Sequence, residues 1–241
     1  MEVPRSLSSL DAFIAYQEAG IVASFNGPDL ETWTPHAVMA AGFASFRDAE
    51  VQLAMRDHTY GASSQWLPLG RRRFSSVRVL VDGMTNTWEL WARANYRSHR
   101  SAFAQFLMLF GLPPAIDDRL DVDHLFARSR IRSVSDGVVR LVLVDRSANR
   151  AWGSWLERLE VGWDPGKPRH AVRAVQVAKA IGIAPPAGPV STVDLEPLHR
   201  KLVRHGLDLT IGELQSNFTM ARRRQAGDPA GLLVLRLEQS S

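Results

Sequence analysis

"DVDHLFARSR", Asp121–Arg130, and "VRLVLVDRSANRAWG", Val139–Gly153, are the two stretches on which the fold turns. The first lies in a β-rich segment, "DRLDVDHLF", that gives way to arginine and serine after Phe126. The second begins as an apolar, valine-rich strand and turns helical at "SANRAWGSWLERLEVG". In that helix Trp152, Trp155, Leu156 and Leu159 recur at three- and four-residue spacing, with Arg150, Glu157 and Arg158 on the other side. The order read from the residues is strand, loop, strand, helix.

Among the seven histidines, His124 alone both follows an aspartate directly and precedes, by one strand, an amide at a helix start. Cleaving a phosphodiester requires a base for water and a divalent cation held by oxygen ligands. Asp123, His124 and Asn149 supply that set. Asn149 sits in the first helical turn, where free N–H groups and the positive end of the helix dipole favour a phosphate. Strict strand alternation sends Asp123 and His124 to opposite faces, so both reach one site only if the strand ends or bends there.

These stretches resemble the ββα-metal core of the HNH, or His-Me finger, endonucleases, in particular the HNH domain of RNA-guided CRISPR effector nucleases. There an Asp-Val-Asp-His strand is followed by one ending in Arg-Ser-x-x-Asn-Arg. The resemblance covers about residues 117–160. It implies an endonuclease that cuts DNA to leave 5′-phosphate and 3′-hydroxyl ends. By that likeness His124 is the general base, and Asp123 and Asn149 hold one cation, Mg²⁺ or Mn²⁺, the metals suited to hard oxygen ligands. Asp121 is a supporting group, and Arg128, Arg130, Arg146 and Arg150 are phosphate contacts. Gly153 stands where many relatives carry a third histidine, so this chain would use the amide-ligand version. Arg140 takes the supporting place where relatives often have an asparagine that braces the histidine.

Working outward, the residues before this core carry helical periodicity in "SLDAFIAYQEAG" and "PHAVMAAGFASFRDAEVQLAMRD" and one strand in "FSSVRVLVDG". "TNTWELWARANYRSHRSAFAQFLMLFG" reads as one long helix or two, with Trp88, Trp91, Phe103, Phe106 and Leu107 at helical spacing. The expected architecture is therefore α+β: a mostly helical region over residues 1–95, the ββα-metal core over 96–163, and a helical region over 164–241 with a linker near 185–190.

Composition agrees with a nucleic-acid partner, which the resemblance implies is DNA more than RNA. The net charge is +4 but the pI is about 9.9, because nearly all basic residues are arginines. They cluster at Arg71–Arg73, Arg97 and Arg100, Arg128–Arg132 and Arg222–Arg224. No cysteine is present, which excludes disulfides and Cys-ligated zinc. No apolar run is long enough for a membrane span, so a cytoplasmic protein is expected. Walker, Rossmann and nucleophile-elbow patterns are absent. The alternatives are a nucleic-acid-binding accessory protein that keeps this fold without cleaving, and an RNA-cleaving toxin.

Overall fold

The strand β6, Val138–Asp145, is apolar along nearly its whole length because it is buried on both faces and paired on both edges. Leu141 lies between Leu90 of β4 (Thr87–Arg93) and His124 of β5 (Leu120–His124). The computed structural model describes residues 4–26, 40–126, 131, 136–159, 168–172, 174–185 and 195–215. Within them, β1 (Ala40–Phe43), β2 (Gln65–Pro68), β3 (Val77–Asp82) and β7 (Arg169–Ala171) complete a seven-stranded antiparallel sheet. Its path is β2-β3-β4-β6-β1-β7, with β5 on the same edge of β6 as β1.

The helices are α1 (Leu10–Phe25), α2 (Phe46–Tyr60), α3 (His99–Leu109), α4 (Arg146–Leu159), α5 (Ala174–Ala180) and α6 (Glu196–Arg204). On one face Phe103, Phe106 and Leu107 of α3 join Phe13 of α1 over Leu120, Val122, Leu141 and Leu143. On the other, Trp152 of α4 and the apolar residues of α5 and α6 cover Val142 and Val144. A smaller cluster seats α2 through Phe46, Ala49 and Leu53 on Phe43, Leu80, Trp91 and Val138. The chain is α+β.

α1 belongs to both faces, with Phe13 in the α3 cluster and Ile21 in the α5 cluster. Between them Gln17 meets the edge of β6 where β4 has ended. Its Nε2 donates to the Leu143 carbonyl at 2.8 Å and its Oε1 accepts from the Leu143 N–H at 2.8 Å. A buried glutamine thus satisfies both backbone groups that the sheet leaves open there.

Two helical readings give way to strands. The described residues of 1–95 hold four strands beside α1 and α2 and are not mostly helical. "TWELWAR" is β4, and only the part from His99 is helix. Both faces of β4 are covered, Leu90 and Ala92 by one cluster and Trp91 by another, so no polar–apolar alternation marks it and the Trp88–Trp91 spacing imitates a helix. In "PHAVMAAGFASFRDAEVQLAMRD", residues 40–43 are β1, and α2 starts only after Ser45, whose hydroxyl accepts from the Asp48 N–H. The core drawn over residues 96–163 shares its sheet with the flanking regions, since β6 pairs with β4 and β1. No helix among the described residues is long and apolar enough to cross a membrane.

Candidate functional site

β5 and β6 pair antiparallel from Leu120↔Asp145 to His124↔Leu141, and β6 runs straight into α4. Asp145 caps the turn into the helix: its Oδ1 accepts from the Ala148 N–H at 2.9 Å and from the Ser147 hydroxyl. The Ser147 hydroxyl, then the Ala148 N–H, hold the Asp145 carboxyl below its ordinary pKa. This cap leaves Asn149 at the end of the first turn, facing β5. Its Nδ2 donates to Asp121 Oδ2 at 3.2 Å, and Arg146 Nε binds Asp121 Oδ1 at 3.1 Å.

Cross-strand pairs share a face, so the register sorts the candidate residues. Asp121 pairs with Val144 and Asp123 with Val142, which places both carboxylates on the α4–α5 side. There Asp123 Oδ2 is bound by the ammonium of Lys179 from α5. Asp121, Asp123 and Asn149 are therefore gathered on one side of β5, and each carboxylate has a cationic partner.

His124 is turned the other way. It pairs with Leu141, shares the face of Leu120 and Val122, is buried, and packs against His99 at the start of α3 with ring centroids 5.4 Å apart. The expectation that Asp123 and His124 converge on one point is corrected here. β5 stays extended through His124, so alternation separates the two.

Arg140 is also relocated. Its side chain lies on the face opposite His124 and forms an ion pair with Glu89 at 2.7 Å, with both side chains almost fully buried. Glu89 Oε2 accepts from Trp91 Nε1 at 2.9 Å. Burial raises the Glu89 pKa, and Arg140 opposes that rise. Arg140 is thus a core charge and not a brace for the histidine.

Of the expected phosphate contacts, Arg146 is engaged with Asp121, whereas Arg150 is exposed. Arg128 and Arg130 lie outside the described residues, as do the side chains of Trp155, Leu156 and Leu159. Trp152 is buried, and its indole N–H donates to the Ile183 carbonyl.

Two partners escaped the sequence reading. Lys179 is the one charge in the largely buried "AVQVAKA", a signal that it serves a specific acceptor. His99 opens a helix marked in the sequence by its apolar stripe, and only the fold brings it to His124.

For a divalent cation the donors Asp121, Asp123 and Asn149 are of the right type, hard oxygens from one strand and one helix. Their charge is already balanced by Arg146 and Lys179, so a cation would have to displace Lys179 from Asp123. Among the described residues no three His, Asp or Glu side chains cluster as a metal site. No protein family, curated protein or solved structure matches this chain.

Proposed function

We propose that this protein is a metal-dependent endonuclease of the His-Me finger type that hydrolyses phosphodiester bonds in DNA. One observation carries the reading: an antiparallel strand pair runs into a capped helix whose first turn brings Asn149 to the carboxylate side of β5, 3.2 Å from Asp121. Asp123 and Asn149 would hold the cation, Mg²⁺ or Mn²⁺, with Asp121 orienting the amide. The cation would neutralise charge building up on the phosphate. His124 would take the proton of the attacking water, which requires the last residue of β5 to turn toward α4. Exposed Arg150 would meet the phosphate beside the scissile bond.

A second reading has its own support. With His124 packed on His99 and Lys179 bound to Asp123, the same scaffold suits a protein that binds nucleic acid without cutting it. A nicking assay on supercoiled DNA, run beside labelled RNA with and without Mg²⁺, separates the readings. The nuclease reading expects Mg²⁺-dependent cleavage by the wild type and a loss of about a hundredfold or more in His124→Ala, the scale of general-base catalysis. Binding without cleavage of any DNA or RNA form supports the second reading and sinks the first. Cleavage of RNA alone makes the protein a ribonuclease on this scaffold.

A further inference from the structure

The tight turn at residues 69–73 presses against α3, and what it carries is not used by the site on β5. Gly70 adopts φ +56°, and a Cβ there would lie 2.1 Å from Gln105 Nε2, so only glycine allows so close an approach. Gln105 in turn fixes Arg72, two residues on. Arg72 donates from Nε to Gln105 Oε1 at 2.7 Å, from one terminal nitrogen to the Tyr96 hydroxyl at 2.6 Å, and from the other to the Ser101 hydroxyl at 2.8 Å.

All three acceptors are neutral. A guanidinium held in a fixed fork, without a carboxylate, keeps its full charge and two spare N–H groups. The hydroxyls of Tyr96 and Ser101, having accepted from Arg72, are free to donate outward. Around this fork Arg71, Arg73, Arg97 and Arg100 are exposed, and none of the five makes an ion pair with a described carboxylate. Elsewhere on the same chain Arg56, Arg78, Arg93, Arg119, Arg140 and Arg146 have one, whereas Arg5, Arg47, Arg150, Arg200 and Arg204 pair with no described carboxylate either, so what sets this cluster apart is the fixed fork of Arg72 at its centre.

Arg100 reaches the carbonyls of Ile116 and Leu120, which ties the cluster to the start of β5, and Asp117 and Asp118 mark its edge there. The first turn of α3 adds unsatisfied N–H groups, for Ser98 makes no side-chain cap and no acid follows it. The whole arrangement lies against α3, the helix that His124 faces.

We infer that the 69–73 turn and the N-terminal end of α3 form a preorganised seat for a nucleic-acid phosphate backbone, with Arg72 as its fixed centre and Arg71, Arg73 and Arg97 as its rim. The inference rests on the phosphodiester reading given above and names where the substrate backbone is gripped: on the α3 side of β5, the face opposite the carboxylates, so a bound strand would cross the edge of β5 that no described strand pairs to reach Asp123 and Asn149. Affinity in such a seat comes from phosphate neutralisation and counterion release, so it tolerates any base sequence and weakens with salt.

Fluorescence anisotropy with labelled strands of about 30 nucleotides, as duplex DNA, single-stranded DNA and RNA, measures this between about 50 and 200 mM salt. Arg71→Gln/Arg73→Gln/Arg97→Gln, all at exposed positions, should lose about tenfold or more in affinity, and the slope of log K against log salt should fall by about two to three. Tyr96→Phe, which removes one donor and no charge, should weaken binding with the slope unchanged. Arg204→Gln, which removes an exposed charge on α6 away from the seat, should bind as the wild type does. Wild-type affinity and slope in the triple variant, or a wild type that binds anionic vesicles but none of the three nucleic acids, overturns the inference. Failure of the nuclease reading looks different: the seat binds and loses affinity as described, while no strand is cut.

Discussion

Replacing Arg140 by methionine tests whether it is a core charge. The Arg140–Glu89 contact is 2.7 Å long, and the two side chains are 3% and 4% exposed, so solvent screening is minimal. Removing one partner of such a pair costs about 3–5 kcal/mol, a large share of a typical stability of about 5–15 kcal/mol. The size should depend on pH. Glu89 already has a raised pKa from burial, and Arg140 is what opposes the rise. In Arg140→Met the folded-state pKa climbs further above the unfolded value of about 4.3. A group with a raised folded pKa stabilises fully below its unfolded pKa and loses that contribution as pH rises through the folded one. The variant should therefore sit nearer the wild type at pH 5 than at pH 8. Glu89→Gln/Arg140→Met removes both charges while an amide oxygen still accepts from Trp91 Nε1, and it should recover about 2 kcal/mol or more of the loss. Urea unfolding followed by tryptophan fluorescence measures all three proteins. A deficit that is flat between pH 5 and pH 8, or a double variant no better than the single, would refute this account of the pair.

Lys179→Met frees Asp123, and calorimetric titration with Mn²⁺ should then show tighter binding than in the wild type; unchanged affinity would mean that Lys179 does not compete with a cation. Trp152→Phe loses a buried N–H bond to Ile183 and part of a fully buried ring, so a drop of about 2–4 kcal/mol in unfolding free energy is expected. Tyr16 has a raised pKa, chiefly from burial, and its hydroxyl accepts from the Trp88 N–H. Wild-type stability should fall as pH rises above about 10, the unfolded tyrosine value, and Tyr16→Phe should lose part of that fall in thermal melts at pH 9–11.

The strand–strand–helix order around Asp121–Asn149 was legible because β-branched runs, a capping turn and a tryptophan-marked helix each leave a local pattern. The side of β5 taken by each residue was legible too, since alternation needs no tertiary information; the bend that would override it for His124 was inferred from composition alone. The identity of β4 was hidden because burial on both faces removes the period-two signal. Arg140 was misplaced for a related reason: inside an apolar strand its partner is Glu89, on a neighbouring strand far away in the chain. Lys179 and His99 depend on the docking of α5 and α3, which local patterns do not encode.

The position of β6 also sets an order of assembly. The β2–β3–β4 meander can close from its own short turns while the chain is still emerging from the ribosome. β1, in contrast, was made long before its partner: Gly42 can pair only once Val139 exists, and Gln17 only once Leu143 does. Until then the edges of β1 and β4 stand open, the situation in which nascent chains meet the wrong strand or a chaperone. The same dependence means that residues 96–163, expressed alone, would expose the edges of β6 that β4, β1 and Gln17 normally cover.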